Sequence, residues 1–181
     1  MGEMAFPLSG QWRFRAVEPS EQTDLMKRQL PSSLSKDGWK FASVPGCVHI
    51  DLLDNGQIEN PLQGTAQKNG FWIESQDFLY KTSFLLPEKW KDALHARNQR
   101  IELHIDSLET FAAIYVNGEY AGESANQCVP LNLDITSHVR PGENLVVVHF
   151  ESAARKTSLL ENDGGKLAAA YDTGRVYARR D

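Results

Sequence analysis

The sequence predicts an all-β chain folded as an antiparallel β-sandwich, in particular a jelly roll, on three observations. About eight short segments alternate apolar and polar residues with period two. Gly, Pro and Asn punctuate the intervals between them. No stretch carries a long amphipathic helical period, and strands and helices do not alternate as a parallel sheet requires. The 181 residues make one domain, or one domain with a long tail, long enough to bury roughly 70% of the unfolded surface without covalent staples.

Each element follows from its residues. Leu8, Trp12 and Phe14 fit a short first strand, with Ser9-Gly10 as its punctuation. Residues 18–37 are polar and read as a loop, with a helical turn or two around Asp24 to Leu30. Trp39 to Val44 alternates and reads as a strand ended by Pro45-Gly46. His49 to Asn55 predicts a short helix closed by Gly56. Residues 59–70 and the segment Asn69 to Glu74 read as loop, and Trp72 to Phe84 contains the next strand pattern, in which Phe78, Tyr80, Thr82 and Phe84 alternate with Leu79, Lys81 and Ser83. Trp90 and Leu94 predict a surface helical turn within Glu88 to Arg97. In Ile101 to Ile105 the apolar residues point one way and Glu102, His104 and Asp106 the other.

Thr110 to Val116 is β-rich, and Asn117-Gly118 after it is the strongest short hairpin signal, because a type I′ turn needs positive φ at both positions. Leu131 to Ile135 and Leu145 to Phe150 complete the strands. Trp12, Phe84, Leu103, Ile105, Ile114, Val116, Leu133, Val146, Val148 and Phe150 are the expected core. From Ser152 the pattern fades. Residues 1–152 are therefore expected to form the sandwich, and 153–181 a loop and a final strand of the same domain.

Composition excludes several classes. With 41% hydrophobic and 24% charged residues the chain is not disordered throughout. No apolar run approaches the ~18 residues of a membrane span. A formal net charge of −5 argues against a general nucleic-acid binder, leaving only Arg175, Arg179 and Arg180 as a local basic candidate. Cys47 and Cys128 are too few for a disulfide scaffold and are expected as reduced thiols. With no signal-peptide pattern and no Asn-x-Ser/Thr acceptor, a cytoplasmic location is expected.

The residues offer no catalytic apparatus. His49, His95, His104, His138 and His149 show no metal-ligand spacing, and His104 and His149 read as surface or half-buried strand residues. Cys47 and His49 lack a third group to orient a thiolate–imidazole pair. Asp163-Gly164-Gly165-Lys166 lacks the strand–loop–helix context of a phosphate cradle and reads as a flexible loop. No cofactor or metal is implied. Trp12, Trp39 and Tyr80 read as core, whereas Phe71-Trp72, preceded by glycine, is a candidate platform for the apolar face of a sugar.

Read in order, these segments resemble the N-terminal domain of glycoside hydrolase family 2, and its β-mannosidase branch in particular. Leu8-Ser-Gly-Gln-Trp12 resembles the opening strand of many sugar-binding domains. The run from Val44-Pro-Gly-Cys-Val through His49, Asp51, Leu53, Asn55-Gly56 and Ile58 to Asn60-Pro61 looks like the mannosidase entry segment. Phe71-Trp72-Ile73-Glu74 followed by Asp77-Phe78 and Tyr80 resembles the next motif. Ser107 to Gly118, Asn126-Gln-Cys, Leu133 to Thr136 and Pro141 to Asn144 complete the match over residues 8–152. Two departures stand out: Phe78 replaces a usual Trp, and Asn126-Gln127-Cys128 replaces Asn-x-Phe.

The resemblance implies a galactose-binding-domain-like jelly roll in a larger exo-acting enzyme. The family's two catalytic glutamates lie in a (β/α)8 barrel, so none of Glu74, Glu109 and Glu151 takes that role. The implied substrate-pocket or domain-interface residues are His49, Asp51, Trp72, Glu74 and Asn126. The implied partners are the catalytic barrel and a mannoside-type carbohydrate. Tyr177 to Asp181 resembles the stretch before a Gly-Trp-Asp-Trp segment that lines the sugar subsite in the family, and the chain is accordingly expected to be truncated. A free-standing carbohydrate-binding module and a pure scaffold docked on the barrel are the competing expectations.

Overall fold

The structure is a computed structural model that describes residues 5–31, 34, 37–60, 72–94 and 99–164. Among these, eight strands form two antiparallel sheets. The strands are β1 (Gly10–Ala16), β2 (Lys40–Val44), β3 (Phe78–Leu85), β4 (Glu102–Ile105), β5 (Ala112–Val116), β6 (Glu119–Ser124), β7 (Leu131–Asp134) and β8 (Glu143–Phe150). The main sheet runs β2-β1-β3-β8-β5-β6, and β4 pairs with β7 in the second. Every neighbouring pair is antiparallel. The all-β sandwich expected from the alternation is what the chain adopts.

The core lies between the sheets. Trp12, Phe14, Tyr80, Ile114, Val116, Val146 and Val148 project from the main sheet, and Leu103, Ile105, Leu131 and Leu133 pack against them from β4 and β7. All ten residues expected in the core belong to this cluster, with Phe84, Leu103, Ile105, Leu133 and Phe150 partly buried at its margin. The sheets approach closely at Gly122 of β6, where a Cβ would collide with the side chain of Leu133.

The other face of the main sheet is also covered, which is why all five residues of β5 are buried. Leu79, Ala113, Tyr115 and Val147 meet Leu25, Leu30 and Leu34 there. Most of this cover comes from the polar stretch 18–37, which includes helix α1 (Gln22–Met26). Three well-spaced leucines suffice to seal the sheet, too few to show as a period.

The β5–β6 turn has the conformation that its two residues require, with φ of 52° at Asn117 and 93° at Gly118. Fully buried Asn144 braces it. The Asn144 amide accepts from Asn117 Nδ2 at 2.8 Å and from Arg140 N at 2.8 Å, and donates to Arg140 O at 2.9 Å and Gly142 O at 3.0 Å.

Two readings are corrected. The segment before Phe78 is not loop: Trp72–Ser75 forms a short helix, here α3. The stretch after Ser152 is not loop: helix α4 spans Ala153–Gly164. The expected final strand at 175–181 lies outside the described residues, as do most of the 59–70 loop and the Asp163–Lys166 glycines beyond Gly164. Glu88–Leu94 is a 3-10 helix, close to the predicted turn.

Both unexpected helices depend on Ser152 and Asp77. Ser152 caps α4 by accepting the Arg155 N–H at 3.1 Å. Its hydroxyl donates to the Glu74 carbonyl of α3 at 2.6 Å, and its N–H donates to Asp77 Oδ1 at 2.7 Å. Asp77 Oδ2 accepts from His149 Nε2 at 2.9 Å, Arg155 at 2.7 Å and Gln22 Nε2 at 2.8 Å. His149 is thus not the surface or half-buried histidine expected, since its side chain and that of Asp77 are both 0% exposed.

Burial pushes the Asp77 carboxyl up, but the bonds from His149, Arg155 and Ser152 outweigh it and hold the group well below the usual carboxylate range. A carboxyl depressed in the folded state stabilises fully above its unfolded value of about 3.9, and that stability is lost as pH falls further. Asp77→Asn should therefore cost about 3 kcal/mol in urea titrations at pH 7 and flatten the loss of stability between about pH 5 and 2. An unchanged acid limb in the variant would contradict the assignment. Gly122→Ala should cost about 1–3 kcal/mol through the Leu133 collision, read from the urea midpoint at constant m-value.

Candidate functional site

The entry segment folds as a hook pinned beneath the sheet. The chain leaves β2 through Pro45-Gly46, where the Ser43 carbonyl lies so close that no Cβ fits on Gly46. Helix α2 (Val48–Asp54) follows, with Cys47 extended at its N-cap. It ends at Asn55 and Gly56, whose φ of 65° suits the residue predicted to stop it. Asn55 Nδ2 donates to the Phe41 carbonyl at 2.8 Å, folding the helix back along β2.

Asp51 is the pin. It is 3% exposed. Its Oδ1 accepts the Ser43 N–H at 3.0 Å and its Oδ2 the Tyr80 hydroxyl at 2.7 Å. Burial, and then the bond to Asp51, push the Tyr80 phenol above its usual range, so it stays a proton donor. Both carboxylate oxygens are engaged inside the fold. In this chain Asp51 positions the hook, and it is the outer residues Cys47, His49 and Ile50 that meet solvent.

The second motif sits on the same strand. Trp72 opens α3, 43% exposed, with its ring centroid 6.3 Å from that of Phe78. Ile73 is buried beneath it, and the half-buried Glu74 offers its carbonyl to Ser152. The two anchors on β3, Phe78 and Tyr80, are two residues apart on one face, ~7 Å along the strand. The structure therefore brings the His49–Asp51 and Trp72–Glu74 segments onto neighbouring points of one strand.

Asn126 lies apart. It follows β6 and is exposed, its side-chain oxygen accepting the Cys128 N–H at 3.0 Å in an Asx turn. The row Ser124–Ala112–Phe150–Phe78–Ala16 across the main sheet puts Asn126 at the same end as α3, with β6 three strands from β3, ~14 Å away. Trp72, Glu74 and Asn126 thus share an end, while α2 crosses the face beside them.

Sequence reasoning missed the groups that position these segments: Tyr80, Ser152 and Arg155. Ser152 followed by Ala-Ala-Arg-Lys was a readable capping signal. Tyr80 and Arg155 become partners only through the fold. Glu151 is engaged by Arg28 at 2.9 Å and Lys156 at 3.2 Å and serves as structure. Among the described residues no group of three or more His, Cys, Asp or Glu is placed to hold a metal ion.

Comparison with known proteins follows this geometry. The chain is 33% identical over 127 residues to a probable β-mannosidase of Caenorhabditis elegans, covering 65% of this chain and 13% of that protein. It is 28% identical over 180 residues to β-mannosidase B of Neosartorya fischeri, covering 97% of this chain and 19% of the relative. A solved β-D-mannosidase from Dictyoglomus thermophilum superposes with a TM-score of 0.76 at 28% identity, over 96% of this chain and 19% of the other. A β-glucuronidase from an uncultured Clostridium shares the fold at a TM-score of 0.55 and 21% identity, covering 83% of this chain and 24% of its own. The chain spans less than a fifth of the length of the β-mannosidases it matches. The family described as "Glycosyl hydrolase 2 galactose-binding domain-like" matches residues 12–181, and the chain belongs to that family.

Proposed function

We propose that the chain is the non-catalytic galactose-binding-like domain of a β-mannosidase-like exo-glycosidase, shaping the pocket for a terminal mannoside and docking on a (β/α)8 catalytic barrel. The observation that carries this reading is the superposition of 96% of the chain on 19% of a solved β-mannosidase. The chain supplies walls, and the chemistry belongs elsewhere. Retaining cleavage needs two facing carboxyls about 5 to 5.5 Å apart, and a barrel to hold them takes about 250 residues. Glu151 is tied to Arg28 and Lys156 and serves the fold.

The outward residues of the two pinned segments are the proposed contact surface. His49 and Ile50 on α2 and Trp72 on α3 are exposed although their own elements are fastened by Asp51 and Ser152. Exposed apolar side chains on rigid supports suit recognition, because binding orders little that is not already fixed. Asn126, at the shared end, would reach the same partner as Trp72 and Glu74. With both cysteines exposed and unpaired, the chain suits a reducing, cytoplasmic compartment.

Purified chain incubated with a chromogenic β-mannoside is expected to show no turnover, and calorimetry with mannose an affinity no better than about 1 mM, or −4 kcal/mol. Turnover that copurifies with the protein would overturn the non-catalytic assignment, and micromolar binding without turnover would favour a free-standing carbohydrate-binding module. In hydrogen exchange, amides of 48–50 and 72–74 should exchange faster than those of 112–116 in the isolated chain, and slow at least tenfold within a longer polypeptide that includes the barrel. Equal rates in the two contexts would remove these segments from the interface.

A further inference from the structure

The face of the main sheet opposite α2 carries a second surface. At its β2–β1–β3 margin Phe41 and Leu85 stand 60% and 71% exposed. Between them lies a cross-strand row, Phe41–Arg13–Lys81, in direct register on three adjacent strands. The Arg13 guanidinium sits over the Phe41 ring at 4.0 Å and the Lys81 ammonium over the Trp39 ring at 3.9 Å. Exposed Gln11, Ser43 and Ser83 complete the surface.

This row is electrostatically unfinished. Like charges directly opposite on paired strands are destabilising, and Arg13 faces Lys81 in a chain whose net charge is −5. Arg15 adds a third cation, but Glu21 neutralises it. Among the described residues neither Arg13 nor Lys81 reaches a carboxylate or a hydrogen-bond acceptor. Burial, followed by the charges of Arg15 and Arg13, holds Lys81 below the usual lysine range. The rings occupy one side of each cation and leave its N–H donors unspent.

We infer that this margin, centred on Arg13 and Lys81 and flanked by Phe41 and Leu85, is a docking surface for a carboxylate-bearing protein surface with apolar side chains among its acids. Two free cations are too few for a polyphosphate, which is held by many neutralised charges, and fall short of the four to eight that mark anionic-membrane binding. A cross-strand row of cations with apolar flanks matches the extended contact of a protein. Because the patch lies on the face away from α2 and Trp72, this inference stands independently of the proposed sugar pocket.

The test uses the whole chain, labelled with nitrogen-15, titrated with a synthetic peptide alternating glutamate and leucine and with its glutamine–leucine counterpart. Amide shifts are expected in residues 11–15, 40–43 and 79–85 with the acidic peptide alone, fading as salt is raised. Arg13→Gln with Lys81→Gln should weaken binding about tenfold without lowering the unfolding midpoint. Arg13→Gln alone, at an exposed position, keeps the test open if the double variant folds poorly, and should weaken binding about threefold. Equal binding of the uncharged peptide, shifts centred on Trp72, or indifference to both variants would overturn the inference. A heparin fragment that binds the same residues more tightly than the peptide would overturn it in favour of an acidic glycan.

Discussion

One buried carboxylate sets the geometry at the end of the sandwich where the candidate residues gather. Asp77 stands where the chain enters β3, and its two oxygens take four bonds from α1, β8 and the start of α4. An unpaired carboxylate with no exposure would cost several kcal/mol, so these donors hold one another's elements in place. Ser152 passes the constraint on, since its N–H binds Asp77 while its hydroxyl binds the Glu74 carbonyl. Removing Asp77 would loosen α3 and α4 together, and Trp72 with them.

Asp51 repeats the device on a smaller scale. It too is a buried carboxylate with both oxygens engaged, and it too lies beneath an element whose outer residues are exposed. The two acids face different problems. Asp77 joins three stretches distant in sequence, around Gln22, its own position and His149 to Arg155, whereas Asp51 folds one hook back on the strand it has just left. Each converts a short helix of seven or four residues, far below the length that is stable alone, into a rigid support.

How legible each part was in the sequence follows the range of the interaction that forms it. The Asn117-Gly118 hairpin was readable because its requirement, positive φ at two adjacent residues, is local. The α2 helix with its Gly56 stop was readable for the same reason. Helix α3 was not: four residues hold their shape through Ser152, 78 positions away. Nor was the second buried face, because Leu25, Leu30 and Leu34 stand among polar residues and show their purpose only once Tyr115 and Val147 lie beneath them. Of the candidate site, motif order located the segments, but only the fold divides them into positioning residues such as Asp51 and outward ones such as His49 and Trp72.

The same division explains why the two faces of the main sheet do not compete. On the α2 face the buried Asp51 has its donors, and exposed His49 and Trp72 ride on fastened elements, so binding there asks for little reorganisation. On the opposite face Arg13 and Lys81 reach no carboxylate among the described residues. Arg15, one residue pair along β1 from Arg13, meets Glu21 and is fully neutralised inside the protein. Arg13 and Lys81 share the strand register but not that pairing, while Leu25, Leu30 and Leu34 pack over Leu79 and Tyr115. The surface is thus divided by charge pairing: Glu21 pairs Arg15 within the chain, whereas Arg13 and Lys81 have no acid among the described residues and await one from a neighbour.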